Sequence, residues 1–311
     1  MGQHEHAWEH TVVGNINLDI SVVLDHYPPE DSHVFARESW MGLGGAASNY
    51  AVAAARLGHR SRLVAVAGED AVKLGLLDAL ESAGVDTSNV RILERVSSGR
   101  VIVLIVPRNS SRTLITIRGA NSMLSPEMVP TDGLGAIHFA SVKPSIILEA
   151  CDKCDYELVA YDPGGEIYRS SPAELARALA RIGVLFMNDK ELGEALRKMG
   201  LDSPLSLARS LAPPRLLIVK NGAGGATLYS LDMKVSVVPP ANKAGHPVDV
   251  TGAGDAFDAA FNAWILEGHG IVDALRAAVA AGTLKVARKG SSNMPSRAEI
   301  EALIGNTRVI L

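Results

Sequence analysis

The stretch Pro247-Val248-Asp249-Val250-Thr251-Gly252-Ala253-Gly254-Asp255-Ala256-Phe257 decides how the chain is read, because a turn of small residues runs straight into an apolar helical pattern. Phe257, Ala260, Phe261, Trp264 and Ile265 recur at i, i+3, i+4, i+7 and i+8, the signature of a helix with one buried face. Gly268 ends the pattern. In the turn Thr251-Gly252-Ala253-Gly254, backbone N–H groups can open toward a ligand, and the helix behind adds unpaired N–H groups and a positive dipole end. That combination is an anion site. Asp255 stands at its mouth, where a carboxylate repels a bound phosphate unless it accepts a proton from an attacking group. A plain capping carboxylate after a Gly-rich turn accounts for the same residues, and this stretch alone leaves both readings open.

Working outward, composition narrows the class. A chain of 311 residues suits one α/β unit with an appendage. The formal net charge is -4 and no basic run occurs, which argues against a nucleic-acid partner. The apolar run Val101 to Val106 is a strand's length, far short of a bilayer span, so no membrane partner is expected. The first ten residues lack a charged-then-apolar signal pattern, and the cytoplasm is the expected location. His4, His6 and His10 read as a polar terminal tail. Cys151 and Cys154 have no second pair to complete a zinc site and read as incidental thiols.

Along the chain, Val12-Val13 forms a strand that delivers Asn15, Asn17 and Asp19 to its C-terminal end, where open α/β sheets bind ligands. Ser21 to Trp40 is broken by Pro28-Pro29 and reads as a small excursion. After Gly42-Leu43-Gly44-Gly45 a helix over Tyr50 to Leu57 stops at Gly58, and the strand Leu63 to Ala67 is followed by one helix over Asp70 to Ala83. Arg100 to Val106 and Arg112 to Arg118 read as a hairpin, which together with the excursion makes a small sheet suited to a lid. Strands at Ala136 to Ala140, Leu158 to Asp162, Val184 to Met187 and Leu216 to Lys220 alternate with helices, implying a parallel sheet. Thr227 to Val238 adds antiparallel character, and the last third is helical, over Asp255 to Glu267, Ile271 to Val286 and Arg297 to Ile304.

Two further constellations carry chemistry. Asn188 and Glu191 sit at i and i+3 after a strand, a spacing that presents an amide and a carboxylate to hydrated Mg²⁺ or makes an N-terminal capping box. Lys220-Asn221-Gly222-Ala223-Gly224-Gly225 is a flexible turn that suits close approach by a nucleotide, or simply a hairpin; the chain has no P-loop.

Residues 249–255 resemble the Asp-Thr-x-Gly-Ala-Gly-Asp signature of the ribokinase, or phosphofructokinase B, family of sugar and nucleoside kinases, with Val250 in place of the usual Thr. Asn188 and Glu191 are similar to that family's Asn-x-x-Glu, Gly44, Gly45 and Asn49 to its Gly-Gly-x-x-x-Asn, and Asn17 and Asp19 to its Asn-x-Asp. The resemblance runs from Asn17 to about Pro295, with the motifs in the family's order. It implies a three-layer α/β fold with a central mostly parallel sheet and a small β lid, residues 1–311 forming one kinase domain with lid strands from about 20–40 and 99–119. It implies phosphoryl transfer from ATP, or ADP, to a sugar hydroxyl. In that scheme Asp255 is the general base, Gly252, Ala253 and Gly254 stabilise the phosphoryl charge, and Asn17, Asp19, Gly44, Gly45 and Asn49 hold the acceptor. Asn188, Lys220, Gly222 and Gly225 would line the nucleotide pocket, and Asn188 with Glu191 would hold Mg²⁺ through water. Asp249 and Thr251, with Gly290 and Ser292, occupy positions where several members bind a monovalent cation such as K⁺. A homodimer through the lid is a further expectation.

The alternative within the family is a nucleoside kinase. From another class comes an NAD(P)-dependent oxidoreductase, because Gly42, Gly44 and Ala47 match G-x-G-x-x-A, although Asp70 is late for a ribose-binding acid. A phosphorylated acceptor would need a cation over the pocket, with Arg37, Arg100 and Arg118 as the candidates; since arginines are mostly superficial, an uncharged acceptor is expected.

Overall fold

Runs of buried apolar residues on both faces are what a sheet covered by two helical layers requires, and they form here as parallel strands. The computed structural model describes residues 9–106, 111–132, 135–153, 155–240 and 248–310. Strands β1 (His10–Gly14), β4 (Ser61–Gly68), β9 (Ala136–Ala140), β10 (Leu158–Asp162), β11 (Val184–Asn188) and β12 (Leu216–Lys220) pair in parallel, in the order β12-β11-β10-β9-β1-β4. Beyond β12 come antiparallel β13 (Ala226–Tyr229), β14 (Lys234–Val238) and β15 (Arg308–Ile310). Short β5 (Val85–Asp86) and β6 (Val90–Leu93) both pair with β4, which makes eleven strands among the described residues.

The period of two divides each strand between two cores. Val12, Leu63 and Phe186 pack with the helices Ala46–Arg56, Ala253–Leu266 and Ile271–Lys285, while Val13, Val64 and Leu185 pack with Pro144–Cys151, Pro172–Leu179 and Asp189–Met199. The C-terminal ends of β10, β11 and β12 deliver Asp162, Asn188 and Lys220 to one edge. No described helix is long and apolar enough to cross a membrane.

A second sheet stands over that edge: β2 (Asn17–Val23), β3 (Glu38–Gly44), β7 (Gly99–Val106) and β8 (Ser111–Ile117), in the order β3-β2-β7-β8. β2 runs parallel to β7 and antiparallel to β3, so the excursion and the hairpin do join into one sheet.

Several boundaries differ from the sequence reading. Asn17 and Asp19 belong to lid strand β2 and not to a loop after β1, since only Asn15 and Ile16 separate the two strands. The helix expected over Asp70 to Ala83 is two helices, Asp70–Lys73 and Leu76–Ser82, broken where Gly75 adopts φ 68. Gly42 and Gly44 lie on β3, within an antiparallel pair, which removes the strand-turn-helix context that a dinucleotide fingerprint needs. β15 went unforeseen because a three-residue edge strand has too few residues to show a period.

His10 is not part of a polar tail: it opens β1, fully buried, with its ring 3.0 Å from the Tyr50 hydroxyl and 3.2 Å from His59 Nδ1. Burial holds it well below the usual imidazole range and therefore neutral. His4, His6, Cys154, Pro247 and the hairpin loop 107–110 lie outside the described residues.

Candidate active site

The helix Ala253–Leu266 begins without any side-chain cap, and Gly252 precedes it at φ 81. A Cβ at Gly252 would lie 2.1 Å from the Ser291 carbonyl, so the turn both needs the left-handed conformation and lacks room for a side chain. Asp249 Oδ1 accepts a 2.9 Å bond from the Thr251 N–H and so fixes the turn's entry. The first turn of this 14-residue helix, with no side-chain cap, presents backbone N–H groups and a positive dipole end that suit an anion.

Asp255 sits in that first turn, and Asn49 Nδ2 donates to its Oδ2 at 2.8 Å. Burial pushes the Asp255 carboxyl up to about 7, with the Asn49 bond pulling down and the charge of Asp162 pushing up. A base poised near neutrality matches what proton abstraction from a hydroxyl needs.

Asp255, Asn49, Asn17, Asp19, Gly45 and Thr251 line a single cavity of about 390 Å³ beneath the lid. Asp19 Oδ2 accepts from Ser291 Oγ at 2.8 Å, and Gly44 lets the carboxylate lie against β3, since a Cβ there would be 2.0 Å from Asp19 Cγ. Asp19 Oδ1 and Asn49 Oδ1 are buried without a hydrogen-bond partner. Such atoms are costly unless a ligand meets them. Burial raises the Asp19 carboxyl to about 6, against the pull of the Ser291 bond. Asn121, which the sequence reading missed, donates to Asn17 Oδ1 at 2.7 Å and orients it.

Asn188 and Glu191 form the capping box: Asn188 Oδ1 accepts from the Lys190 and Glu191 N–H groups at 3.0 Å each, and Glu191 Oε2 accepts from Asn188 N–H at 2.9 Å. Burial and then the charge of Asp162 push the Glu191 carboxyl up to about 7. A carboxylate with an oxygen left over beside another negative charge is a setting that a hydrated cation relieves, and this donor set fits outer-sphere Mg²⁺.

Lys220 turns inward instead of toward the Gly-rich turn. Its Nζ donates to Asp162 Oδ2 at 2.7 Å and to Asp258 at 3.1 and 3.2 Å, directly under the helix start, where a Cβ on Gly254 would be 3.2 Å away. With one ammonium between two carboxyls, Lys220 holds Asp162 below the usual carboxylate range against its burial, while complete burial pushes Asp258 well above it. In the turn itself Gly225 is required by the hairpin, since its Cβ would meet the Val237 carbonyl at 2.0 Å, whereas Gly222 faces open space.

The residues expected to hold a monovalent cation meet at the turn before the site helix. Asp249 accepts from Thr251 N–H and, at 3.1 Å, from Gly290 N–H, while Ser291 Oγ donates to Asp19. Lys285, fully buried at the end of the helix Ile271–Lys285, lies behind Gly252, with its Nζ 3.4 Å from the Arg288 carbonyl. Burial lowers its pKa while Asp249 and Asp255 raise it. A lysine in the last turn of a helix normally reads as a solvent-facing partner of the helix dipole, so nothing in the sequence singled it out.

Of the three candidate arginines, Arg37 pairs with Asp25 and Arg100 with Asp70 at 2.9 Å, both outside the cavity lining. Arg118 lines the cavity together with Arg169 and Glu166, neither of which the sequence reading named.

The model of the pfkB family carbohydrate kinases matches residues 9–298. An ATP-dependent ribose-1-phosphate kinase of Halopiger xanaduensis is 29% identical over 94% of this chain and 96% of its own length. The nucleoside kinase of Methanocaldococcus jannaschii is 27% identical over 92% and 93% of the two chains, and its crystal structure superposes with a TM-score of 0.85 at 23% identity, covering 96% and 99%. An Arabidopsis thaliana ribokinase structure with ribose and ATP superposes with a TM-score of 0.76 at 26% identity, covering 96% and 99%.

Proposed function

The chain belongs to the pfkB family of carbohydrate kinases, and from that premise we propose that it transfers the terminal phosphoryl group of ATP to a hydroxyl of a sugar, with Asp255 as general base. The hydroxyl is held through Asp19 Oδ1 and Asn17. As it attacks, its O–H bond breaks and the proton passes to Asp255. A new O–P bond forms, the bond from the terminal phosphorus to the departing ADP breaks, and the charge on the phosphoryl oxygens is met by N–H groups of Gly252, Ala253 and Gly254. Glu191, steadied by Asn188, would hold Mg²⁺ through water, and the metal supplies charge neutralisation on the donor phosphates. Lys220 acts from below, holding Asp162 and Asp258 in place under the helix start. Gly222 offers open backbone to the nucleotide, and Gly225 shapes the turn that presents it.

ATP as donor is supported by the relatives named for it and by the ATP-bound ribokinase structure. K⁺ is not carried into this reading; Lys285 lies behind Gly252 instead. A nucleoside acceptor is the second reading, favoured by the nucleoside kinases among the relatives. A homodimer through the lid is supported by exposed Met41, Ile115 and Ile117.

The observation that carries the proposal is a carboxyl raised to about 7, bonded to Asn49, in the uncapped first turn of a helix and in one cavity with the unpartnered Asp19 Oδ1. Asp255→Asn tests it: turnover in a coupled ATP assay falls about 10²- to 10⁴-fold while ATP affinity by calorimetry stays near wild type. Turnover within a few fold of wild type removes Asp255 from the role of base.

A further inference from the structure

The cavity wall opposite in charge to Asp19 and Asp255 has no use in the scheme above. Arg118 and Arg169 both line it, and both reach the same carboxylate: Arg118 Nη2 is paired with Glu166 Oε1, and Arg169 Nε lies 4.0 Å from that oxygen. Glu166 is buried, with its side chain 4% exposed, whereas Arg118 and Arg169 are 31% and 68% exposed. Two guanidinium groups on one carboxylate leave a net positive charge. Each guanidinium carries five N–H donors, more than one carboxylate can accept. The pairs Arg37–Asp25 and Arg100–Asp70 are one to one and lie elsewhere, so the excess is local to this wall.

Strand register says where this excess sits relative to the reacting end. Arg112, Leu114, Thr116 and Arg118 alternate along and just past β8, and Leu114, Thr116 and Arg118 line the cavity. Arg112 Nη1 reaches Thr251 Oγ1 at 3.3 Å, beside the anion hole. Arg118 lies six residues further, about 20 Å along an extended strand. Thr116 pairs with Val101 and Val101 with Asp19, and Arg118 follows in the row of Gly99 and Asn17. The hydroxyl-reading residues Asn17 and Asp19 are thus level with Thr116 and Arg118, while the transferred phosphoryl belongs at the Arg112 end.

We infer that the acceptor is a sugar that already carries a phosphate, held by Arg118 and Arg169 with Glu166 keeping the two guanidinium groups in place. This inference rests on the kinase reading and narrows its substrate class, replacing the uncharged acceptor expected from the sequence. A phosphate dianion satisfies the free donors bidentately, and it relieves the Arg169 repulsion that, after burial, holds the Arg118 pKa below its usual value. The product is a sugar bisphosphate: the acceptor's hydroxyl proton goes to Asp255, and its own phosphate stays bound at Arg118 throughout.

The test compares ribose 1-phosphate, ribose 5-phosphate, ribose and inosine as acceptors with ATP and Mg²⁺, in the wild type and in Arg118→Gln, Arg118→Lys and Arg169→Gln. In parallel, calorimetry without nucleotide measures the binding of each compound. The wild type should prefer a sugar phosphate in kcat/KM. Each Gln variant should cut the ratio of kcat/KM for that sugar phosphate over ribose by about 10- to 100-fold, chiefly through KM, with Arg118→Lys intermediate. Higher kcat/KM on ribose or inosine than on either sugar phosphate overturns the inference and leaves the kinase reading standing. So does a ratio unchanged in correctly folded Gln variants. Sugar-phosphate binding that weakens in the variants, without turnover of any acceptor, upholds the inference and sinks the kinase reading instead.

Discussion

Two three-membered charge clusters flank the cavity with opposite stoichiometry. Under the helix start, Lys220 stands between Asp162 and Asp258, one cation for two carboxyls. At the lid end, Arg118 and Arg169 share Glu166, two cations for one carboxyl. Lys220 and Asp162 are 15% and 16% exposed and Asp258 is 0% exposed, so burial pushes the Asp258 carboxyl well up and favours a proton there as the answer to the excess. The arginine cluster is open to the cavity and cannot settle its excess that way, because a guanidinium does not give up its proton in a protein. A closed charge imbalance is answered by protonation and serves the scaffold; an open one is answered by a ligand and serves recognition.

The largest effect that would break this contrast is on stability. Lys220→Met leaves Asp162 charged and unpaired inside the core, and should cost about 3–5 kcal/mol in chemical denaturation. Arg169→Gln, on an exposed side chain, should cost less than about 1 kcal/mol. Equal costs would mean that both clusters are scaffold.

Next in size is the pH dependence, which sharpens the link between the buried cluster and the base above it. Asp255 acts only when deprotonated, so kcat/KM should fall about tenfold per pH unit below an apparent pKa of about 7. The folded carboxyl is raised from 3.8, so the native state binds the proton more tightly than the unfolded chain, and stability is lost as pH rises from about 4 through about 7. Asp255→Asn, which cannot ionise, should therefore gain melting temperature over the wild type as pH rises across that window. A flat difference would show that the carboxyl is not desolvated.

The smallest expected effect concerns Lys285, a fully buried lysine. Replacing K⁺ by tetramethylammonium at constant ionic strength should leave kcat within twofold, because the ammonium behind Gly252 is covalently part of the chain. A several-fold loss, restored by K⁺, would return Asp249 and Thr251 to the role of cation ligands.

Much of this was legible before any coordinates. The parallel strands announce themselves through apolar runs that only a doubly covered sheet can bury, and the site helix through its 3.6-residue period. Asp255, Asn49, Asn17 and Asp19 could be named because short polar motifs beside glycine turns are local features, readable within a few residues. What stayed hidden is what long-range packing assembles. Asn188 and Glu191 gave one spacing with two readings, and only the coordinates reveal that the capping box is made.

The sequence by itself determined the α/β class, the family motifs and the candidate for the base, because backbone periodicity and turn chemistry act over neighbouring residues. Tertiary structure alone decided that Asn17 and Asp19 ride on the lid, that Lys220 faces inward, and that Lys285 is buried behind Gly252. It also brought Arg118 and Arg169 together at Glu166, 51 positions apart in the chain, in the same cavity as Asp255. The physical reason is that a charged side chain's direction and partner depend on which strands pair and in what register, and a shift of one residue turns every side chain to the other face.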